Sequence, residues 1–372
     1  MSLLKKILPI AYFVSVLENL YYIKKNLSYS YKALLLLLVY LNSSKIYSEE
    51  SKQIIQKIGF GSCLEQWNPQ DIWKPMIESK PDLFIWLGDN IYFDSYIAEE
   101  KKYYYNLLTN RKEYKELKKT SRMLYTWDDH DYGINDSGAE YEDKVNSQRI
   151  FLEAFEEKKD SPRWTRPGVY DSYYFGSKGK RLQVIVLDTR YFRSELKRDW
   201  RKIFGIKRNI ANNDPGATIL GESQWKWLEK ELEKEADLRI IVSSIQIVNN
   251  YHPFEKWGNF PAERKRFFDL IKEKKAKRLI VLSGDRHMSE LSVEKENLPY
   301  PIYDFTSSSF NKPFKFIKPE ESPVRIGDAI VEENFGTLDI HWDAKDPFIE
   351  MKIISPSGKQ EFYHKIGFKE IE

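Results

Sequence analysis

The chain is 372 residues long and 41% hydrophobic, enough to bury a sizeable core as one large α/β domain or two smaller ones. Its 59 Lys and Arg residues against 56 Asp and Glu leave a net charge of +3. That near balance excludes a nucleic-acid binder driven by its global field, so any anion binding has to be local. The 24 tyrosines and 10 tryptophans would suit stacking on sugars or bases, but aromatic core packing is the plainer reading.

Residues 7–17 form an apolar run behind Lys5 and Lys6, and residues 33–41 form a stronger one behind Lys24, Lys25 and Lys32. Each is too short to span a bilayer comfortably as a single helix. The second has the charged flank, apolar centre and small-residue exit (Ser43, Ser44, Ser48) of a secretory signal. Residues 1–50 are therefore predicted to be a signal or anchor segment. The protein is expected to be exported, periplasmic or extracellular, touching a membrane only through that segment. No cysteine is placed for lipidation and no arginine pair precedes the apolar core.

From residue 51 onward, strand and helix signals alternate in the α/β manner. Residues 58–63 read as a short strand ending in small residues, and 69–79 as a helix with Trp73 and Ile77 one turn apart. Residues 83–87 are apolar throughout, as in a parallel strand covered on both faces. Gly88 lets the chain turn there, so that Asp89 lies at the carboxyl end of that strand. Residues 97–119 are predicted as one long charged helix, 127–131 as a turn and 145–155 as a further helix. Segments 173–175 and 182–188 pair as a hairpin around a turn at 176–179. Residues 193–221 read as a long irregular basic insertion, of the length usually given to functional or mobile loops. A helix at 224–235, a strand at 239–244, a helix at 262–274 and a strand at 278–284 follow. The tail turns to strands at 302–306, 336–341 and 348–355. No Pro/Gly/Ser-rich linker divides residues 51–372, which are predicted to be a single domain with a β-rich carboxyl-terminal part.

Three strands end on polar groups: Gly-Asp at 88–89, Asp-Asp-His at 128–130 and Gly-Asp-Arg-His at 284–287. Any one of these carboxylates could cap a helix or turn. Three strands ending on carboxylate and imidazole together predict a site for one or two cations, with Asp89 as the natural bridge. Asp89, Asp129, Asp285 and His287 are expected to converge on one pocket. Cys63 is the only cysteine and has no disulfide partner in the chain, so burial in the core and ligation of a metal as thiolate both remain open. His252, beside Pro253, reads as a loop histidine near the mouth of the site.

These residues resemble a known family, the PhoD-like (alkaline phosphatase D) branch of the calcineurin-like metallophosphoesterases. The matching segments are 60–63, 81–92, 126–133 with Asn135, 187–190, 221–228 and 283–287, in the family's order, over roughly residues 57–310. The resemblance implies a metallophosphatase-like α/β/β/α sandwich of two mixed sheets flanked by helices. It implies Fe3+ and Ca2+, with other divalent metals as alternatives. Cys63, Asp89, Tyr92 and His287 look like the iron-type set, and Asp89, Asn135 and Asp285 resemble the calcium ligands. Asp129-His130 sits where the wider superfamily has an Asn-His pair, which implies Asp129 as a weaker ligand and His130 as a phosphate contact or acid. Arg190, and with it Arg286, would contact phosphate, although an arginine beside a carboxylate is as often a structural ion pair.

The twin-arginine leader and extra amino-terminal β-domain of many members are not visible, and His130 is followed by Asp-Tyr-Gly in place of the commoner Glu-Val form. Substrate preference is therefore not carried over from any one member. The favoured function is an exported phosphoesterase, a monomer that hydrolyses small or polymeric phosphomono- or phosphodiesters with metal-activated hydroxide. A nuclease or other polymer-directed phosphodiesterase would need a long basic groove that the sequence does not show, and no specific nucleic acid is expected. A non-catalytic metal- or phosphate-binding protein on the same fold would lack ligands, and none of the main ones is missing.

Overall fold

A computed structural model of the protein describes residues 49–372, apart from 204, 205, 297 and 317. All but the last two residues of the expected signal or anchor segment lie outside the described residues. Those two belong to strand β1 (Glu49–Ser51), so the folded part begins slightly earlier than expected. Among the described residues, no helix is long and apolar enough to cross a membrane.

Strands β2 (Lys57–Gly61), β3 (Leu83–Trp86) and β4 (Arg122–Tyr125) lie side by side and parallel. On the other side of β2, β14 (Phe335–His341) pairs antiparallel, followed by β15 (Phe348–Ile354) and β16 (Gln360–Gly367), which completes a six-stranded mixed sheet. The second sheet is built on four parallel strands, β6 (Leu182–Val186), β9 (Leu238–Ser243), β10 (Leu279–Ser283) and β12 (Ile302–Ser307). It is extended to eight by β1 and β5 (Asp171–Phe175) at one edge and by β11 (Ser289–Glu294) and β13 (Arg325–Ile330) at the other. All residues of β3, β9 and β10 are buried, which is why these strands are mostly apolar, with Arg239 in β9 and the closing Ser243 and Ser283 as the polar members. Between the sheets, Ile58, Phe60 and Ile85 share one core with Val242, Leu282 and Phe305. The Phe60 and Phe305 rings meet edge to face at 5.3 Å.

Helices cover the outer faces. Under α1 (Trp73–Glu78), α2 (Lys101–Thr109), α3 (Lys112–Thr120) and α5 (Lys144–Ala154), Trp73, Tyr105, Tyr114 and Phe151 pack with Phe84 and Trp86 of β3. On the eight-stranded sheet, α6 (Gly221–Leu232) and α7 (Pro261–Glu273) contribute Trp225, Leu228, Phe267 and Ile271. The expected α/β/β/α layering of two mixed sheets is thus the observed one. The remaining helix, α4 (Asp129–Tyr132), is a single turn where a turn was expected.

The single helix expected over 97–119 is instead two, α2 and α3, with Arg111 extended between them. In one straight helix, Tyr114 and Leu117 would point about half a turn away from Tyr105 and Leu108. Only the break lets all four bury themselves. The insertion at 193–221 is not wholly irregular: β7 (Lys197–Ile203) and β8 (Ile206–Ile210) form an antiparallel hairpin. Its strands carry no apolar alternation to announce them. Helix α6 starts at Gly221 rather than Gln224, and the Thr218 hydroxyl, ahead of the N-cap Leu220, accepts the Gly221 N–H at 2.8 Å and so satisfies one of the free donors of the first turn.

Candidate metal centre

The parallel strands deliver their carboxyl ends to one edge. Cys63 follows β2, Asp89 follows β3, Asp128 and Asp129 follow β4, Arg190 follows β6, and Asp285 and His287 follow β10. Gly88 makes the approach possible: its φ is +105°, and a Cβ there would come within 2.6 Å of Asp128 Cβ and 2.8 Å of the Asp128 nitrogen. Gly284 plays the same part between the sheets, where a Cβ would meet Ser62 Oγ at 2.7 Å and the Ser244 carbonyl at 3.0 Å. Cys63, Asp89, Asp136, Asp285 and His287 are non-glycine residues with φ between 48° and 68°, a left-handed backbone that side chains rarely adopt.

Three overlapping groups of donor atoms result, each with its atoms within 4.8 Å of one another: Cys63, Asp89 and His287; Asp89, Asp129 and His130; Asp128, Asp129 and Asp285. Asp89 belongs to the first two and Asp129 to the last two, so the donors form one continuous row. Tyr92 joins it by donating its phenolic hydrogen to Asp89 Oδ2 at 2.6 Å, with its oxygen 3.5 Å from His287 Nε2. Cys63 Sγ lies 3.5 Å from the same Asp89 oxygen and 3.1 Å from Ser308 Oγ. The Ser308 hydroxyl also accepts the His287 N–H at 2.9 Å.

The electrostatics of the row are those of buried charge. Burial pushes the Asp89 carboxyl up to about 7 despite the nearby His130, and pushes Asp128 and Asp285 well above the carboxylate range. Burial likewise raises the Cys63 thiol and Tyr92 phenol, with Asp89 adding to both, and lowers His287 to about 4. Burial works against charge on Asp129 and His130 too, but there the pair wins. His130 and Arg190 hold Asp129 below its ordinary value, and Asp129 and Asp89 raise His130 to about 10. Two buried carboxylate oxygens, Asp89 Oδ1 and Asp128 Oδ2, meet no hydrogen-bond donor. An orphaned buried carboxylate is costly, and a cation satisfies it. Sulfur, phenol, imidazole and carboxylate in one row are a donor set that fits metal ions.

The structure thus brings together Cys63, Asp89, Tyr92, Asp129, Asp285 and His287. Asn135 stands apart, exposed at the rim, where its backbone N–H donates to Asp94 Oδ2 at 3.2 Å. His130 lines the cavity and shares its Nδ1 hydrogen with Asp94 Oδ1 at 2.5 Å. Arg190 is not placed to touch a substrate. It is fully buried, donates from Nε to Asp128 Oδ1 at 2.5 Å and from Nη1 to Glu255 Oε2 at 2.6 Å, and so is the structural ion pair. Arg286 is nearly buried and held by Glu320 at 2.9 Å. His252 is buried rather than set at the mouth, and burial beside Arg286 pushes its imidazole well down, to the neutral form. Glu255 and Asp94 were missed as members of the site, and Asp128 was read as part of the polar strand end but not singled out as a ligand. For Asp128 the adjacent carboxylates at 128–129 carried the signal; for Asp94 it was a second carboxylate shortly after the first. Glu255 had none.

The row faces a cavity of about 340 Å³, whose other walls include Asn135, Arg198, Asn209, Phe254 and Phe314. Lys101, buried below, donates to the His130 and Gly133 carbonyls at 2.8 Å each and to that of Phe93, tying the loops of the rim together. Burial lowers its ammonium to about 8.

An α/β/β/α sandwich with a buried row of metal-type donors at the carboxyl ends of its parallel strands defines a candidate metal-binding class of fold and site. Residues 58–311 match the family model described as PhoD-like phosphatase, and the chain belongs to that family. It is 23% identical to alkaline phosphatase D of Bacillus subtilis (strain 168) over 280 residues, a match that covers 62% of this chain and 45% of that protein. The chain therefore matches less than half the length of that relative. Among solved structures it resembles one described as the structure of PhoD, with a TM-score of 0.61 and 18% identity over 86% of this chain and 73% of that one. It also resembles GAP50, described as the anchor in the inner membrane complex of Plasmodium, with a TM-score of 0.53 and 14% identity over 86% and 90% of the two chains.

Proposed function

We propose that this protein is a metal-dependent phosphoesterase that hydrolyses phosphomono- or phosphodiesters. One fold carries both a structure described as PhoD and one described as an anchor, so the reading rests on the site and not on the likeness of fold. The observation that carries it is the continuous donor row, which holds two orphaned carboxylate oxygens and meets a cavity through Asp129, His130, Asp285 and His287.

Cys63, Asp89, Tyr92 and His287 would hold an iron-type ion, and Asp89, Asp128, Asp129 and Asp285 a hard cation such as calcium. Bound there, the cations supply Lewis acidity towards a phosphoryl oxygen and a nucleophilic hydroxide at neutral pH. The rest is done by the chain. Asp94 engages His130 Nδ1, which leaves Nε2 to donate a proton to the departing oxygen. Arg190 holds Asp128 and Glu255 in place from behind, and Lys101 fixes the backbone that carries His130. Arg198, about two-fifths exposed and paired with Asp136 at 2.8 Å, is a wall cation that would exchange that partner for phosphate in the role expected for Arg190.

Elemental analysis of natively expressed protein, paired with turnover of model phosphomono- and diesters, tests the reading. Metal at both ends of the row and hydrolysis of at least one ester class are expected. Folded, metallated protein that hydrolyses neither would overturn it. Export by residues 1–50 belongs to the same proposal, supported by the lysine-flanked apolar runs. That segment fused to a reporter should carry it out of the cytoplasm; retention of the reporter inside would remove this part.

A further inference from the structure

The cavity has walls of two kinds. Asp129, His130, Asp285 and His287 face it from the strand ends, whereas Phe254 and Phe314 close one side with apolar rings. The Phe314 ring lies flat on His287, with centroids 3.9 Å apart and planes 14° apart, and its N–H donates to the His287 carbonyl at 3.0 Å. One face of the ring is thereby taken up by the imidazole. Yet 36% of the residue remains exposed, on a cavity it lines. Phe254 stands 6.4 Å away at 46° to it, making a corner, and Phe254 carries the Arg286 guanidinium 5.0 Å over its own ring. Arg286 in turn is held by Glu320, so the corner is braced from outside the cavity.

An ester bound with its phosphoryl group at the donor row has to place its organic group against some other wall. The corner is apolar, it adjoins the row through His287, and the surface it exposes is costly until something covers it. A flat ring covers a flat ring better than a puckered or flexible chain does, because offset stacking adds to the area buried. We propose that Phe314 and Phe254 bind the organic group of the ester and select phosphate esters whose organic group is a planar ring. This inference rests on the phosphoesterase reading and names its substrate class.

Phenylphosphonate and cyclohexylphosphonate test it without turnover, since they share charge and approximate bulk and differ in planarity. The metal-loaded protein should bind the phenyl compound about two- to tenfold more tightly. That ratio should move to about one in Phe314→Leu, which keeps apolar bulk against His287 but removes the π face. Phe254→Leu, which does not touch His287, should also lower it, and it serves as the second variant should Phe314→Leu lose metal. Equal binding of the two phosphonates by the unaltered protein, or an unchanged ratio in both variants, overturns the proposal. Hydrolysis of phenyl phosphate separates the two readings. Turnover with equal phosphonate binding removes the ring wall alone; a binding ratio without turnover removes the phosphoesterase reading and leaves a ring-binding surface.

Discussion

The two ends of the donor row are built on different chemistry. At one end Cys63, Tyr92 and His287 are groups that bury comfortably while neutral, and burial pushes each of them towards its neutral form. At the other end Asp128, Asp129 and Asp285 offer oxygen alone and need a permanent positive charge nearby, which Arg190 provides from a fully buried position. Asp89 stands between them. The difference teaches that one edge of the sandwich can offer sulfur, phenol and imidazole at one end and oxygen alone at the other, provided a single carboxylate stands between them.

The surest way to break the comparison is to remove what the ends share. Asp89→Asn should empty both ends and lower hydrolysis by several orders of magnitude, as read by elemental analysis and turnover. Unchanged metal and activity in the folded variant would mean that the ends do not depend on Asp89. Arg190→Met should act on the carboxylate end alone. It leaves Asp128 buried without its counter-charge and Glu255 with Arg193 alone, a loss of about 3–5 kcal/mol in chemical denaturation of the metal-free protein. If the variant is as stable as the parent, Arg190 does not support that end.

Cys63→Ser sharpens the contrast from the other side. A thiolate and a phenolate on an iron-type ion should give visible charge-transfer absorption, which this change should weaken or abolish while metal at the carboxylate end stays bound. Colourless but fully metallated, active parent protein would leave Cys63 and Tyr92 as packing residues only. The smallest effect concerns protons. In the metal-free protein Asp89 is raised from 3.8 to about 7 and His130 from 6.5 to about 10. Both folded values lie above the unfolded ones, so each contribution is complete below the unfolded value and is lost as pH rises through the folded value. Bound cations reverse the trend, because ligation needs the carboxylates deprotonated. The gap in Tm between metal-loaded and metal-free protein should widen by a few degrees from about pH 5 to about pH 9. A gap that narrows would contradict the charge arrangement described.

Much of the row was legible in advance because a buried parallel strand leaves an unbroken apolar run, and a Gly-Asp step at its end marks where the run meets the site. That is how Asp89, Asp285 and His287 came to be placed together. Arg190 was harder, since its neighbour Glu255 lies on a distant loop and nothing in the local sequence shows that two carboxylates enclose it. His252 lies in a loop as read, but its burial was hidden for a similar reason: a proline beside it suggests a loop, and whether that loop is covered depends on other segments. The break at Arg111 was in principle readable, because Tyr105 with Leu108 and Tyr114 with Leu117 fall on opposite faces of a continuous helix. The β7–β8 hairpin was not, because its strands pair without an apolar face.

Five residues that shape the donor row hold left-handed backbone angles that glycine or asparagine would adopt more readily. Strain of this kind is worth about 1–3 kcal/mol at each position. A selection for heat resistance alone would therefore drift towards Asp136→Gly or Asp285→Gly, each relaxing the backbone while taking a carboxylate away from the site. Directed evolution of this scaffold has to screen for turnover in every round, or it will harvest sturdy, inert descendants.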